Sequence, residues 1–317
     1  MTGVQTNTGA DSAVTPEEKA GVTGVTHSIP SLENRPCYKV FDDPVKDAQG
    51  KISHHAGVWH FSTRQGKGDN DLVPVDRWIC SPLHVYAVTT DTQEHNYGRL
   101  LRFLSTYGTW KAWAMPMAML AGDGNELRAA LLSQGVEIDP EARSNLSRYL
   151  QSRNPKKRMR CALQTGWADA EYRAFVLPDV VIGAGAGSVV FQSGEAGDNE
   201  YTTAGTLDQW RQGVSIPAID NPVLMLALCA AFAGPLLSRC NAESGGVHFV
   251  GDSSTGKTTA LEAACSVWGG AGYRRSWRAT ANGMEGVAAM FNDGLLALDE
   301  ISECDPRDIG GIVYALG

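Results

Sequence analysis

Apolar positions fall into three regimes along the 317 residues. Residues 1 to 35 are rich in Thr, Gly, Ser and Ala without periodic apolar spacing, so burial cannot offset their ordering entropy; a disordered leader is expected. From Cys37 short apolar runs alternate with turn formers. Cys37–Phe41, Gly57–Phe61, Trp78–Cys80, His84–Val88 and Asn96–Leu104 read as strands, divided by Asp42-Asp43-Pro44, Gly66-Lys67-Gly68 and Ser81-Pro82. The period then changes to that of a helix. Leu127, Ala130 and Leu131 share one face behind an Asp123 cap with Glu126 three residues on, and Gly135 closes that segment. A second helix is expected behind Asp139-Pro140, with Ala142, Leu146, Tyr149 and Leu150 at helical spacing. Met115, Met117 and Met119 with Trp110 and Trp113 read as core filling.

Strand-like runs resume at Arg160–Thr165, Tyr172–Leu177, Val180–Ile182 and Ser188–Phe191. A short helix around Trp210 follows, then an apolar run from Asn221 to Arg239 expected as a buried helix. Its apolar part, Pro222–Leu237, falls short of the roughly 20 residues of a membrane span and contains Gly234 and Pro235, so no membrane partner is expected. Past a linker at Asn241–Gly245 the third regime begins: Val247–Val250 as a strand, with His248 a packed residue within it, and a helix from Thr258 to Trp268. Ala260, Leu261, Ala264, Cys265 and Trp268 form the apolar stripe of that helix. Beyond it come a strand at Tyr273–Arg278, a helix at Gly283–Phe291, and the apolar run Gly294–Leu298 ending in Asp299-Glu300.

Composition narrows the classes. At 43% hydrophobic residues the chain is globular, and it is long enough for two folding units. A net charge of −8 argues against a uniformly basic DNA-coating surface but leaves room for local patches. One such patch is Arg153-Asn-Pro-Lys-Lys-Arg-Met-Arg160, with five basic residues in eight, which reads either as a solvated loop or as a phosphate contact. Seven cysteines form no C-x-x-C pair, which suits a reducing cytoplasm.

The chemistry lies between strand and helix of the third regime. Gly251, Asp252, Ser253, Ser254, Thr255, Gly256, Lys257 and Thr258, followed by Thr259, fit G-x-x-x-x-G-K-[ST], a pattern met by chance in roughly one such chain in a hundred. Glycines let backbone N–H groups turn inward around phosphate oxygens, and the next helix presents its positive end. Lys257 is expected to reach the β- and γ-phosphates of ATP and Thr258 to hold Mg²⁺. Asp299, at the end of a buried strand, is the second metal-side ligand, and Glu300 the carboxylate that polarises water. Arg274, Arg275, Arg278 and Arg307 are candidate arginine fingers, each equally well explained as a solvated side chain. The expected fold is α/β: a β-rich α+β part over 36–200, a helical connector over 201–242, and a P-loop NTPase core with a parallel sheet over 243–317. With few strands after Asp299, the core is expected to be incomplete at its C-terminal end.

Several blocks then resemble one family. They are Pro116-Met-Ala-Met-Leu-Ala-Gly-Asp-Gly124, Gln164-Thr-Gly-Trp167, Phe175-Val-Leu-Pro-Asp179, Asn221-Pro-Val-Leu224, Ala230–Leu237, Gly251–Thr259, Ser276–Gly283 and Leu298-Asp-Glu300. Together and in this order they resemble the domain of unknown function 927 family, P-loop proteins of prophages, plasmids and integrative elements. The resemblance implies a replication ATPase or helicase that acts on single- or double-stranded DNA, forms a homo-oligomeric ring with ATP between subunits, and works beside a primase. It implies nucleotide roles for Lys257, Thr258, Asp299 and Glu300. The competing reading is a regulatory or defence-associated P-loop switch that acts on a protein partner.

Overall fold

The computed structural model describes residues 28–67, 71–193, 199–278 and 281–316; the expected leader lies outside them, apart from its last few residues. The first strands are β1 (Cys37–Phe41), β2 (Val45–Lys46), β3 (Ile52–His54), β4 (Gly57–Gln65) and β5 (Leu72–Cys80). β1, β4 and β5 form an antiparallel sheet whose buried Phe41 and Phe61 meet edge to face at 6.2 Å. Next come β6 (Leu83–Thr90), β7 (Gly98–Leu104) and β8 (Trp110–Pro116), then α1 (Asn125–Ser133) and α2 (Arg143–Ser152). After α2 the chain runs through β9 (Arg158–Ala162), β10 (Gly166–Trp167), β11 (Phe175–Val176), β12 (Val181–Ile182) and β13 (Val189–Phe191).

A mixed five-stranded sheet of order β13-β9-β6-β7-β8 is the centre of this half. Leu101 and Phe103 of β7, with Trp113 and Met115 of β8, face Leu127, Leu131, Leu146 and Leu150 of the two helices in one core. The buried Tyr149 hydroxyl donates to the Leu83 carbonyl at 2.7 Å, so the α2 face is satisfied as well as packed. Trp113, Met115 and Met119 of the methionine-tryptophan cluster are thus core, with Met117 packed against them, whereas Trp110 is half-buried under the Arg102 guanidinium; much of the cluster is the seven-residue strand β8, which period alone does not reveal. Trp113, Ala114 and Met115 are buried in succession because Ala114 also bridges to Gln192 on the opposite side.

Both expected helix starts move. Asp123 accepts from the Asn125 amide (3.1 Å) and Asp139 from the Glu141 amide (2.9 Å), so each carboxylate closes a turn ahead of its helix rather than capping it. Gly124 and Ala142 occupy the cap positions. Gly135 ends α1 in a left-handed conformation (φ +88°).

The remaining helices are α3 (Leu207–Trp210), joined by a π turn at Arg211–Ser215 to α4 (Ile216–Ala218), then α5 (Pro222–Leu237), α6 (Lys257–Cys265), α7 (Ala281–Ala289) and α8 (Pro306–Leu316). Two short strands, β14 (Arg275–Ser276) and β15 (Leu298–Asp299), pair in parallel. Asn221 caps α5, accepting from the Val223 and Leu224 amides at 3.2 Å. The expectation of a buried α5 is corrected: only Ala227, Leu228, Ala231 and Gly234 are buried, while Val223, Met225, Leu226, Phe232 and Leu236 are exposed. A helix apolar all round does not select which face it buries, and α5 turns its small residues to the protein. With the turn after it, Pro222–Cys240 is apolar and long enough to cross a bilayer, by length and composition only.

Trp268 is a junction of this half. Its indole N–H donates to the Ala231 carbonyl of α5 at 2.8 Å, its ring stacks on Phe175 of β11 at 6.0 Å, and Tyr201 meets it edge-on. The turn at Asn292–Gly294 is the second junction. The Trp167 amide donates to Asp293 Oδ2 at 2.9 Å, and Gly234 of α5 lies directly on the Gly294 carbonyl.

Candidate functional site

Residues 242–250, ahead of the glycine-framed loop, run without ladder hydrogen bonds among the described residues. The expected strand at Val247–Val250 is therefore corrected to an extended entry segment. His248 is exposed rather than packed; only Phe249 turns inward, onto the alanine cluster between α5 and α6. A strand needs a neighbour, and the parallel sheet expected around this loop is represented, among the described residues, by β14 and β15 alone.

The loop itself is built from local chemistry. Ser254 (φ +63°) and Gly256 (φ +87°) both take left-handed conformations, and a Cβ on Gly256 would meet nothing within 4 Å. Gly251 to Gly256 are all exposed, as are Thr258 and Thr259, and α6 starts at Lys257 without a side-chain cap. Lys257 folds back over the loop. Its Nζ donates to the carbonyls of Gly251 (2.8 Å) and Asp252 (2.5 Å) and lies 3.5 Å from Thr255 Oγ1, which itself donates to the Asp252 carbonyl at 2.9 Å. Among the described residues every acceptor of that ammonium is neutral. A positive charge without a carboxylate partner therefore sits at the positive end of α6, an arrangement suited to a polyphosphate.

The acidic pair is held by different contacts. β15 places Asp299 opposite Ser276 of β14, and the Trp277 amide donates to the Asp299 carbonyl at 3.2 Å. Arg274 lies 3.0 Å from Asp299 Oδ2 and 3.8 Å from Glu262 Oε1 of α6, so one guanidinium ties the strand to the helix. Among the described residues no hydrogen bond or ion pair joins Asp299 or Glu300 to Lys257 or Thr258, and no cluster of three or more acidic, His or Cys side chains could hold a metal by itself. A divalent ion at Thr258 and Asp299 would need phosphate oxygens to complete its set, and Asp299 to turn from Arg274.

Glu300 takes a left-handed backbone (φ +59°), its amide donating to Asp299 Oδ1 at 2.9 Å. A hydrogen bond with Glu303 and that group's negative charge push the Glu300 carboxyl above its usual range. Glu303 goes the other way, held down first by the Ser276 hydroxyl, which donates to it at 2.9 Å, and then by Glu300. Of the candidate fingers, Arg274 is engaged as described and Arg275 pairs with Glu200 while lying over the Phe291 ring; Arg278 and Arg307 are exposed. The bridging role of Arg274 escapes sequence reasoning because it depends on the pairing of β14 with β15.

The family described as Domain of unknown function (DUF927) matches residues 51–317. The chain belongs to that family. No curated protein matches this DUF927 chain. Among solved structures, that of the SCCmec type IV Cch active helicase is similar in fold, with a TM-score of 0.54 and 23% identity over 78% of the chain. The DUF927 chain spans 47% of the length of that helicase chain.

Proposed function

We propose that this DUF927 chain carries the Mg-ATP-binding part of a P-loop ATPase of a mobile genetic element, working as a DNA helicase or replication-associated motor. The observation that carries the reading is Lys257, a cation satisfied only by neutral loop oxygens at the start of α6. In this reading the phosphates of ATP replace those oxygens, Gly251 to Gly256 supply amide donors, and Thr258 with Asp299 completes the Mg²⁺ set. Glu300 orients the attacking water, and the hydrogen bond and charge of Glu303 beside it raise its proton affinity. A core over 243–317, a connector over 201–242 and an α+β part over 36–200 form the proposed organisation. Arg278 and Arg307, exposed, are the arginines free to act across a ring interface. The fold likeness to a structure described as an active helicase supports a nucleic acid as the polymer; DNA as that polymer, and a primase beside the motor, belong to the reading through the family resemblance.

Lys257→Ala tests the reading directly. Charge-assisted hydrogen bonds of this kind are worth about 1.5–3 kcal/mol, so affinity for a fluorescent ATP analogue with Mg²⁺ should fall about ten- to hundredfold while the melting temperature holds. Equal nucleotide binding by the variant and the unaltered protein rejects the assignment.

A further inference from the structure

Away from the nucleotide loop, two arginines share a row of the central sheet. Val88 of β6 pairs with Arg99 of β7 on one side and with Arg158 of β9 on the other. At a strand spacing of about 4.8 Å the two Cα atoms lie roughly 10 Å apart and their side chains leave the same face. Arg99 is only 8% exposed, yet its Nη1 meets only its neighbour's Gly98 carbonyl (3.2 Å) and Met117 Sδ (3.1 Å), and its Nε has no hydrogen-bond partner. Arg158 donates to Asn154 Oδ1 at 3.3 Å and to the carbonyls of Pro155 and Lys157, all neutral. Among the described residues neither arginine has a carboxylate at ion-pair distance. Burial disfavours the charge on Arg99, and the Arg158 charge disfavours it further. A buried guanidinium is ordinarily held by a carboxylate, so an anion that the described residues do not supply is the missing partner.

The surroundings indicate which anion. Arg158 belongs to the basic run noted in the sequence, and the fold divides that run by task. Arg153 donates to the Tyr38 carbonyl at 2.9 Å and lies over the Tyr149 ring, and Arg160 pairs with Asp169 at 2.5 Å. Lys157 lies 4.3 Å from the centroid of the Tyr86 ring, whose residue is 44% exposed, and Lys156 is exposed. Two arginines on one row of the sheet, and a neighbouring lysine held against a half-exposed tyrosine ring, suit a single nucleic-acid strand: charge for phosphates and a ring for a base. An acidic peptide would use the charges and leave the ring idle.

We propose that Arg99 and Arg158, with Lys157 and Tyr86 beside them, receive the sugar-phosphate backbone of a single-stranded nucleic acid. This rests on the nucleic-acid part of the proposed function. The test is fluorescence anisotropy of the full chain with labelled oligothymidylate over a range of salt. Arg158→Ala should weaken binding about five- to tenfold and reduce the slope of log affinity against log salt by about 0.7. Arg99→Met should also weaken binding while raising the melting temperature, since it removes an uncompensated buried charge; an unchanged affinity with a lowered melting temperature would make Arg99 a structural arginine and overturn its place in the site. Binding by the unaltered protein with no change in either arginine variant overturns this site alone. Absence of oligonucleotide binding by the unaltered protein overturns the site and the nucleic-acid reading together, and so does displacement of the oligonucleotide by polyglutamate at equal charge.

Discussion

Asp76 of β5 has two partners that must both be satisfied. It pairs with Arg35, whose side chain is only 3% exposed, and with His54 Nε2 at 3.0 Å; Arg35 also donates to the Ser62 carbonyl at 3.0 Å and covers the Phe61 ring. Burial alone would raise the Asp76 carboxyl, but hydrogen bonds from Arg35 and His54 outweigh it and hold the group below its usual value. A carboxylate depressed in the folded state contributes stability that is present above its unfolded pKa of about 3.9 and lost as pH falls through the lower folded value. Asp76→Ala is therefore expected to cost about 3 kcal/mol at neutral pH by leaving the Arg35 charge buried and unpaired. Urea denaturation measures this, and repeated from pH 7 down to pH 3 it should show the difference from the unaltered chain shrinking at the acid end. The same reasoning separates Lys257 from Arg274: both are cations near the nucleotide loop, but only Arg274 has carboxylates to hold it.

Gly234 decides how α5 sits. A Cβ there would fall on the carbonyl oxygen of Gly294 and press on that of Asp293, both backbone atoms that cannot swing aside. Alanine would gain about 1 kcal/mol of helix propensity, while overpacking against a fixed backbone costs about 1–3 kcal/mol, so the clash wins. Gly234→Ala should lower the melting temperature in a calorimetric scan, and an unchanged or raised value would show that α5 does not rest on the 293–294 turn. Elements whose signals are local were legible in the sequence. The apolar runs of β1, β4 and β7, the end of α1 at Gly135 and the turn from Gly251 to Gly256 are written in residues a few positions apart. Those set by distant partners were not. The extended run at Val247–Val250 has strand composition but no described ladder, β8 hides its period because both its faces are covered, and α1 and α2 begin past their aspartates because each carboxylate closes a turn first. Within the candidate site the loop was readable from its spacing, whereas the pairing of Glu300 with Glu303 and the reach of Arg274 from β14 to α6 depend on how β14 lies beside β15.

Across the whole molecule the cysteines map what is covered. Burial pushes the Cys80 thiol far up and raises those of Cys161 and Cys265 to about 11, while Cys229 of α5 and Cys240 just beyond it are exposed. Because the thiolate is the nucleophile, iodoacetamide at pH 8 should modify Cys229 and Cys240 well before buried Cys80, Cys161 and Cys265, as read by peptide mass spectrometry. Protection of Cys229 with Cys240 still reactive would mean that the apolar outer face of α5 is covered in solution. That helix reaches the rest of the chain through Trp268, whose indole touches the Ala231 carbonyl, the Phe175 ring and the Tyr201 ring. One of the chain's eight tryptophans thus stands where three segments meet, with Trp167 beside it donating to the Pro235 carbonyl of α5 at 2.8 Å: the hydrogen bond of each indole tunes the colour of its emission, and the ring neighbours set how tightly its transition dipole is held. The fold has in effect placed a pair of optical gauges at the joint between α5, α6 and the β10–β12 sheet, whose share of the emission is the difference between the unaltered chain and one lacking either indole.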